Sequence, residues 1–262
     1  MTLANFEAAL TTDLSASLAG RKPFCLTGDP AASVAALRKQ GINAVALGNN
    51  HAMDAGLPGL YSTLAAFREA GIACVGAGIN AQQAQAPLVV TVGKRTYKIF
   101  SAYWYRRYME EECAFYARPR RAGVACISGG LIEQLRKEKA SAHPATLIVL
   151  AHWGLDYRWT TARQRTLAKQ LSDAGADLII GSGPHMAGEA AQQDQSLVIY
   201  SIGNAVFNSN GEYQERGMPA YGFIVRLLVG TRQPQIQLLP IFTDNKKTFW
   251  QPRPVNEAEF ST

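Results

Sequence analysis

Short apolar runs alternate with segments of helical periodicity along most of the chain. Residues 42–47 form an apolar run that stops at Gly48, and residues 57–70 repeat apolar side chains at helical spacing before Gly71. Another apolar run, residues 72–76, follows at once. Because a strand, a helix and a second strand joined by glycine turns make a parallel crossover unit, this order predicts an α/β fold.

The same patterns extend through the rest of the chain. They predict helices over residues 30–41, 131–139 and 161–174, and strands over residues 123–128, 146–151, 178–180 and 197–202. We find neither an internal repeat nor a linker in the sequence. The chain is therefore predicted to be one mixed α/β domain over residues 1–262.

Three parts of the chain depart from this alternation of strands and helices. Residues 88–92 and 97–103 predict an antiparallel hairpin around Gly93 and Lys94. Residues 103–121 are rich in aromatic residues and arginine, and we predict them to be a long irregular segment. Late antiparallel strands are predicted at residues 222–229 and 236–242, followed by a polar tail.

Composition and charge narrow the classes of protein. The chain is 47% hydrophobic and 18% charged, which is typical of a globular protein. Its net charge of +6 is spread out, and no nucleic-acid-binding motif accompanies it, so we predict no nucleic-acid partner. The cysteines form no CxxC pair and are predicted to be reduced core residues: Cys25, Cys74, Cys113 and Cys126.

No stretch of the sequence reaches transmembrane length, and no basic-then-apolar signal opens the chain. We therefore predict no membrane span in this chain and, for the sequence as given, a cytoplasmic location. A natural precursor with a further N-terminal segment would instead be anchored to a membrane or exported.

Polar side chains gather directly after the first predicted strand of the crossover unit. Asn49, Asn50 and His51 follow Gly48, and Asp54 comes three residues later. Ligands bind at the carboxyl ends of strands in open α/β sheets, and an Asn oxygen with a His nitrogen can bind a borderline cation. A nearby histidine can also transfer a proton. The alternative is a plain turn in which His51 caps the following helix.

Three of the four histidines share one context. His51, His152 and His185 each follow a predicted buried strand and lie close to a glycine, whereas His143 lies in a polar loop. If the three strands run in the same direction within one sheet, the imidazoles converge on one edge and form a transition-metal site. The alternative for each histidine is a core or turn residue.

Five motifs in order carry a resemblance to a known family. They are Asn5-Phe6-Glu7, Gly48-Asn49-Asn50-His51 with Asp54 and Gly56, His152-Trp153-Gly154 with Asp156-Tyr157, Asp173-Ala174-Gly175-Ala176-Asp177 running into Gly181-Ser182-Gly183-Pro184-His185, and Tyr200-Ser201-Ile202-Gly203-Asn204. With these motifs the chain resembles the bacterial capsule-synthesis or poly-γ-glutamate-synthesis proteins (CapA-like), a branch of the calcineurin-like metallophosphoesterases.

The resemblance implies a fold and a site. The fold would be a four-layer αββα sandwich with mixed sheets and metals at the strand ends. Glu7 would be a bridging carboxylate, Asn50 and His152 would bind one metal, and His185 would bind the other. His51 would face the substrate as a general acid or oxyanion partner, with Asp54 beside it in the catalytic site.

The sequence departs from the family pattern in two places. The family begins with a strand that ends in Gly-Asp, and this chain starts after that point. Gly183 stands where the family has the first histidine of a His-x-His motif. We therefore expect one tightly bound divalent transition metal (Mn, Zn or Fe) rather than two. We also expect an open sheet edge that promotes self-association or takes up a segment of the chain's own termini.

The expected substrate is an anionic small molecule or polymer, either phosphorylated or poly-glutamate-like. We assign substrate binding to Asn49, Trp153, Arg106 and Arg107, because arginine forks suit carboxylates and phosphates. The alternative for the arginine-rich segment is a solvated loop whose aromatic side chains fill the core.

Two functions remain open from the sequence. The first is a metal-dependent hydrolase, of phosphoester or amide type, in capsule or cell-envelope polymer metabolism. The second is a non-catalytic polymer-binding or assembly subunit that keeps the fold with an incomplete metal centre.

Overall fold

The computed structural model describes residues 1–143, 145–229, 235–256 and 259. The chain forms two compact units. The first consists of Met1–Val90, Thr96–His152 and Ala174–Ala176, and the second of Thr91–Arg95, Trp153–Asp173 and Asp177–Thr262.

Short strands alternate with helices in the first unit, as the apolar runs predict. Its elements are β1 (Leu3–Asn5), β2 (Ala9–Leu10), β3 (Thr27–Gly28), α1 (Pro30–Lys39), β4 (Ala44–Ala46), α2 (Gly56–Glu69), β5 (Ala73–Val75), β6 (Ala77–Gly78), α3 (Ala81–Gln85), β7 (Leu88–Val92), β8 (Arg95–Trp104), α4 (Arg107–Cys113), β9 (Gly123–Val124), β10 (Cys126–Ile127), α5 (Gly129–Lys139) and β11 (Thr146–His152).

One parallel sheet of the first unit has the strand order β1-β4-β5. Asn5 is in register with Ala46, and Ala46 with Val75, so these strands end together. Residues 3–5 were not among the predicted strands, yet Leu3–Asn5 pairs in parallel with β4. The pairing brings the Asn5–Glu7 segment to the same sheet edge as the turn that follows β4.

A second parallel group of strands ends at His152. β8 pairs with β10 on one side and with β11 on the other, and His152 is in register with Tyr103. The predicted hairpin of β7 and β8 is confirmed. The predicted strand at residues 123–128 is in fact two strands, because β9 pairs with β6 in antiparallel fashion whereas β10 pairs in parallel with β8.

The arginine-rich segment is more ordered than its sequence suggests. It was predicted to be irregular, yet α4 spans Arg107–Cys113. Arg107 pairs with Glu111 one helical turn later, at 2.7 Å, and Met109 and Cys113 are buried beneath the helix. An ion pair four residues apart and two buried side chains are the features that support a short surface helix.

Gly48 allows β4 to lie directly against β8. A Cβ atom at position 48 would lie 2.4 Å from Ser101 Oγ and 2.5 Å from the Ala102 nitrogen. The Gly48 N–H also donates to Ser101 Oγ at 3.2 Å. The turn that carries Asn49–Asp54 thus starts at a backbone position that accepts only glycine.

We expect Gly48→Ala to lower the free energy of unfolding by about 1–3 kcal/mol, because the methyl group must displace backbone as well as a side chain. Chemical denaturation measures this change. Gly129→Ala is the matched control, since a Cβ there would meet nothing within 4 Å. Equal stability of the two variants would contradict the close approach at Gly48.

The second unit combines a helix, a small mixed sheet and an antiparallel sheet. Its elements are α6 (Ala162–Asp173), β12 (Leu178–Ser182), β13 (Ala190–Gln193), β14 (Ser196–Ile199), α7 (Glu212–Glu215), β15 (Tyr221–Leu228), β16 (Gln235–Phe242), α8 (Asn245–Thr248) and β17 (Arg253–Pro254). β14 pairs in parallel with β12 and antiparallel with β13, and β16 lies between β15 and β17.

The late antiparallel strands are confirmed, but four elements of this unit were not predicted, and α7 at Glu212–Glu215 is one of them. β13 is polar and has no apolar run to mark it. α8 and β17 lie in the predicted polar tail, whose residues 257, 258 and 260–262 lie outside the described residues. The mixed α/β fold class is confirmed in both units.

The cysteine prediction holds in part. All four are free thiols, but only Cys113 is buried and the other three are half-buried. Within the described residues, no helix is long and apolar enough to cross a membrane.

Candidate metal centre and its surroundings

Asn49 connects the turn after β4 to the N-terminal segment. Its Nδ2 donates to Phe6 O at 2.8 Å and to Asn5 Oδ1 at 3.1 Å, and its Oδ1 accepts from the His51 N–H at 2.9 Å. The side chain is fully buried. These bonds use both amide hydrogens on protein groups, which is the environment of a turn-organising residue, and no substrate contact is assigned to Asn49.

His51 and Asp54 form a buried pair within this turn. His51 Nδ1 lies 2.6 Å from Asp54 Oδ2, which also accepts from the Leu26 N–H at 2.6 Å. Asp54 is 0% exposed. A carboxylate accepts hydrogen bonds, so Nδ1 carries the proton and Nε2 is the ring nitrogen left to act on a ligand. The helix-cap alternative for His51 is wrong, because Ala55 is the N-cap of α2 and no side chain caps it.

Lys22 completes this buried cluster, and the sequence analysis missed it. Its Nζ donates to Asp54 Oδ1 at 2.5 Å and to Asn50 O at 2.6 Å, and lies 3.1 Å from His51 Nδ1. The Lys22 side chain is only 4% exposed. Lysine is almost never buried without a partner, but Lys22 belongs to no apolar run or motif, so only its tertiary contacts reveal it.

A second cluster joins the N-terminal segment to the end of β11. Asn5 Nδ2 donates to Glu7 Oε1 at 2.7 Å and lies 3.3 Å from His152 Nδ1. Glu7 Oε1 is 3.9 Å from the same nitrogen. The Asn5 amide thus contacts both Glu7 and His152, and it places a carboxylate beside an imidazole, two side-chain types that bind transition metals.

Two oxygen atoms of the predicted ligands have no hydrogen-bond partner among the described residues. They are Glu7 Oε2 and Asn50 Oδ1, and both are buried. Buried polar atoms are nearly always bonded, and leaving one unsatisfied costs about 1–3 kcal/mol. Two unpaired oxygens in the same unit as His152 therefore fit a cation that binds oxygen and imidazole ligands.

Few side chains in the first unit are placed to act as metal ligands. Within the described parts of the chain, no three His, Cys, Asp or Glu side chains cluster as metal ligands. The first unit provides one carboxylate, one imidazole and one amide oxygen: Glu7, His152 and Asn50.

His185 lies in the second unit, in a network of its own. Its Nδ1 lies 2.9 Å from Asn204 Oδ1, and its ring stacks on Phe207 with centroids 4.3 Å apart. Asn204 Nδ2 donates to Tyr213 Oη, which donates in turn to the His185 carbonyl. These bonds place the proton on Nδ1 and leave Nε2 as an acceptor. The convergence of His185 with His51 and His152 stays a prediction from the sequence.

The local backbone of the second unit explains why residue 183 is a glycine. Its φ is +116°, and a Cβ atom there would lie 2.3 Å from Trp153 O. No side chain, histidine included, fits at position 183 without movement of the backbone. The resemblance implies a histidine at this position, and the backbone around Gly183 leaves no room for one.

Trp153 is a core residue of the second unit. It is 1% exposed, and its Nε1 donates to Tyr200 O at 2.9 Å. Its ring also stacks on Tyr200, with centroids 6.1 Å apart. A buried and satisfied indole has no surface to offer a ligand, so the substrate contact predicted for Trp153 has no support in its surroundings.

The two arginines assigned to substrate binding differ in their surroundings. The Arg106 guanidinium lies over the rings of Trp104 and Tyr108, 5.3 and 5.6 Å from their centroids. Arg107 is exposed and pairs with Glu111. Stacking on aromatic rings leaves the N–H groups of the Arg106 guanidinium available to an anion. The guanidinium of Arg107 is instead paired with the Glu111 carboxylate.

Glu110 neutralises two further arginines of this segment. Its Oε1 lies 2.5 Å from Arg118 and 2.8 Å from Arg121. Burial acts to raise the pKa of Glu110, but the hydrogen bonds and charges of Arg118 and Arg121 outweigh it and hold the pKa below its usual value. Glu110 therefore stays ionised near neutral pH, and these two arginines are not free to bind a substrate.

Sequence comparison decides the family. The profile of the bacterial capsule synthesis protein PGA_cap matches residues 1–209. The chain belongs to this family. The mixed α/β architecture is consistent with the αββα sandwich expected of CapA-like proteins.

The curated relatives of this CapA-like protein are named for capsule, PGA or polyglutamine synthesis. The chain is 29% identical to the PGA biosynthesis protein CapA of Bacillus subtilis, over 78% of this chain and 52% of the relative. It is 30% identical to the capsule biosynthesis protein CapA of Bacillus anthracis, over 67% and 43%. A probable polyglutamine synthesis accessory protein of Mycobacterium tuberculosis is 32% identical, over 80% and 56%. The chain spans about half the length of these relatives.

Among solved structures, a phosphatase from Mycoplasma pneumoniae aligns with 85% of this chain and 90% of its own. The TM-score is 0.41 and the sequence identity is 12%. At this level the similarity carries no information about individual residues.

Proposed function

We propose that this CapA-like protein is a metal-dependent hydrolase, of phosphoester or amide type, that acts in capsule or cell-envelope polymer metabolism. The unpaired buried oxygens of Glu7 and Asn50 support the metal centre most directly. The names of the relatives support the biological setting. In this proposal Glu7, Asn50 and His152 hold the ion.

The bound ion would activate a water molecule and neutralise negative charge that develops on the substrate. His51 would transfer a proton at Nε2, because Asp54 occupies its Nδ1. Asp54 is fully buried, so it would act through His51 rather than on the substrate. Asn5 would hold Glu7 and His152 in place, since its amide lies between them.

We expect about one divalent ion per chain, with Mn, Zn or Fe preferred over Mg, because the donor set includes an imidazole. Elemental analysis after mild dialysis, followed by calorimetric titration, measures this. Glu7→Gln removes the anionic oxygen and keeps the shape of the side chain, so its affinity should fall. Protein that neither retains nor takes up a transition metal would contradict the proposal.

The substrate in this proposal is anionic, either phosphorylated or poly-glutamate-like. Arg106 is the better placed of the two assigned arginines, since Arg107 is paired with Glu111. Self-association through a sheet edge and a cytoplasmic location remain predictions from the sequence.

A second candidate is a non-catalytic polymer-binding or assembly subunit. The lack of three clustered His, Cys, Asp or Glu side chains in the described residues favours it, as does Gly183. Hydrolysis of p-nitrophenyl phosphate with added Mn²⁺ separates the two candidates for phosphoester chemistry when the Glu7→Gln variant is the control. Metal-dependent turnover that Glu7→Gln abolishes supports the hydrolase. Tight polymer binding without bound metal supports the subunit.

A further inference from the structure

The buried side chain of Lys22 contacts the turn that carries Asn50 and His51. Its ammonium group reaches three points of that turn: the Asn50 carbonyl, the His51 ring and the Asp54 carboxylate. It reaches them from a segment about thirty positions earlier in the chain. An ammonium group has three N–H donors. Here one donates to the Asp54 carboxylate and another to the Asn50 carbonyl, both at short distances.

The contact with the Asn50 carbonyl has a specific consequence. The side-chain oxygen of the same residue is one of the two unpaired buried oxygens. A residue held at its carbonyl by a buried cation has a fixed peptide plane, and this limits the directions in which its side chain can point. Lys22 thus restrains a candidate metal ligand without offering a ligand atom itself.

The contact with Asp54 extends the same restraint to His51. Asp54 receives Lys22 on Oδ1 and His51 on Oδ2, so one carboxylate connects the cation to the imidazole. With its position set from both sides, Asp54 holds the ring of His51 in one orientation. The restraint on Asn50 is the one that bears on metal affinity, because groups that orient metal ligands are worth about 10–100-fold in affinity in known metal sites.

We propose that Lys22 is a positioning residue for the metal centre: its buried ammonium group locks the Asn50–Asp54 turn, directing Asn50 Oδ1 toward the ion and His51 Nε2 toward the substrate. This inference rests on the proposed function, because it requires that the centre bind a metal. It adds a residue that carries neither a ligand atom nor a motif signature.

The test compares Mn²⁺ affinity, measured by electron paramagnetic resonance well below the melting temperature, in wild type, Lys22→Met and Lys98→Met. Lys98 forms an ion pair with Glu138 in the same unit, so its variant controls for the loss of a lysine–carboxylate pair. We expect Lys22→Met to bind Mn²⁺ at least about 10-fold more weakly, and Lys98→Met to bind as wild type does.

A rescue experiment separates positioning from a general loss of folding. Lys22→Ala removes the atoms of n-propylammonium, so added n-propylammonium should restore Mn²⁺ affinity, whereas tetramethylammonium, which has no N–H, should not. Hydrogen exchange of residues 49–54 without metal should be faster in Lys22→Met than in Lys98→Met.

The outcomes are distinguishable. If wild type binds no Mn²⁺, the proposed function fails and the metal role of Lys22 fails with it. If wild type binds Mn²⁺ and Lys22→Met binds it equally well, only the role of Lys22 is overturned. Weak binding by Lys22→Ala that tetramethylammonium restores as well as n-propylammonium does would overturn it too.

Discussion

His152→Ala is expected to lose its bound metal and any hydrolytic activity while keeping its fold. The reason is that His152 provides the imidazole beside Glu7, and Asn5 contacts both side chains. Elemental analysis of the purified variant and its circular-dichroism spectrum measure the two effects.

His143→Ala is the matched control, because His143 lies exposed in a bend at the surface and should change neither quantity. The contrary outcome is equally clear. If His152 is a core histidine, its removal should lower the free energy of unfolding by about 1–3 kcal/mol through lost packing and a stranded partner. A His152→Ala variant that keeps its metal and melts early would decide for that alternative.

Asp54→Ala is expected to lower the free energy of unfolding by about 3–5 kcal/mol, because it leaves the buried Lys22 ammonium without its carboxylate. The Leu26 N–H and the His51 Nδ1–H lose their acceptor at the same time. Urea denaturation followed by intrinsic fluorescence measures the change.

The double variant Lys22→Met/Asp54→Asn separates the cost of a stranded charge from the cost of altered packing. It removes both charges and keeps side chains of similar size, so it should be more stable than Asp54→Ala. A double variant as unstable as Asp54→Ala would show that packing, and not the unpaired charge, dominates at this site.

The turn at residues 49–54 shows which parts of a site a sequence motif can predict. Its residues and its place after a strand are visible in the sequence, because both depend on local patterns of apolar residues and glycine. The partners of the turn are not visible. Asn5 and Lys22 hold it from 44 and 28 positions away, and no periodicity relates residues at such distances.

Trp153 and Arg107 show that a motif does not reveal the surroundings of a side chain. Trp153 belongs to a motif and Arg107 to the arginine-rich segment, and both were assigned to substrate binding. Trp153 instead fills the core of the second unit, and Arg107 pairs with Glu111 on a surface helix. Position beside a motif indicates proximity along the chain, whereas contact with a ligand depends on which face of the element is buried.

The family, the α/β class and the core of most strands and helices could be predicted from the amino-acid sequence, since apolar periodicity and glycine turns act over a few residues. The contacts between polar side chains could not be predicted and became visible only in the folded chain. Packing paired Lys22 with Asp54 and placed Asn5 between Glu7 and His152. It also left one buried oxygen each of Glu7 and Asn50, two predicted ligands, without a partner among the described residues. The physical reason is that a buried polar group needs a partner, and packing brings that partner from elements that are distant in the chain.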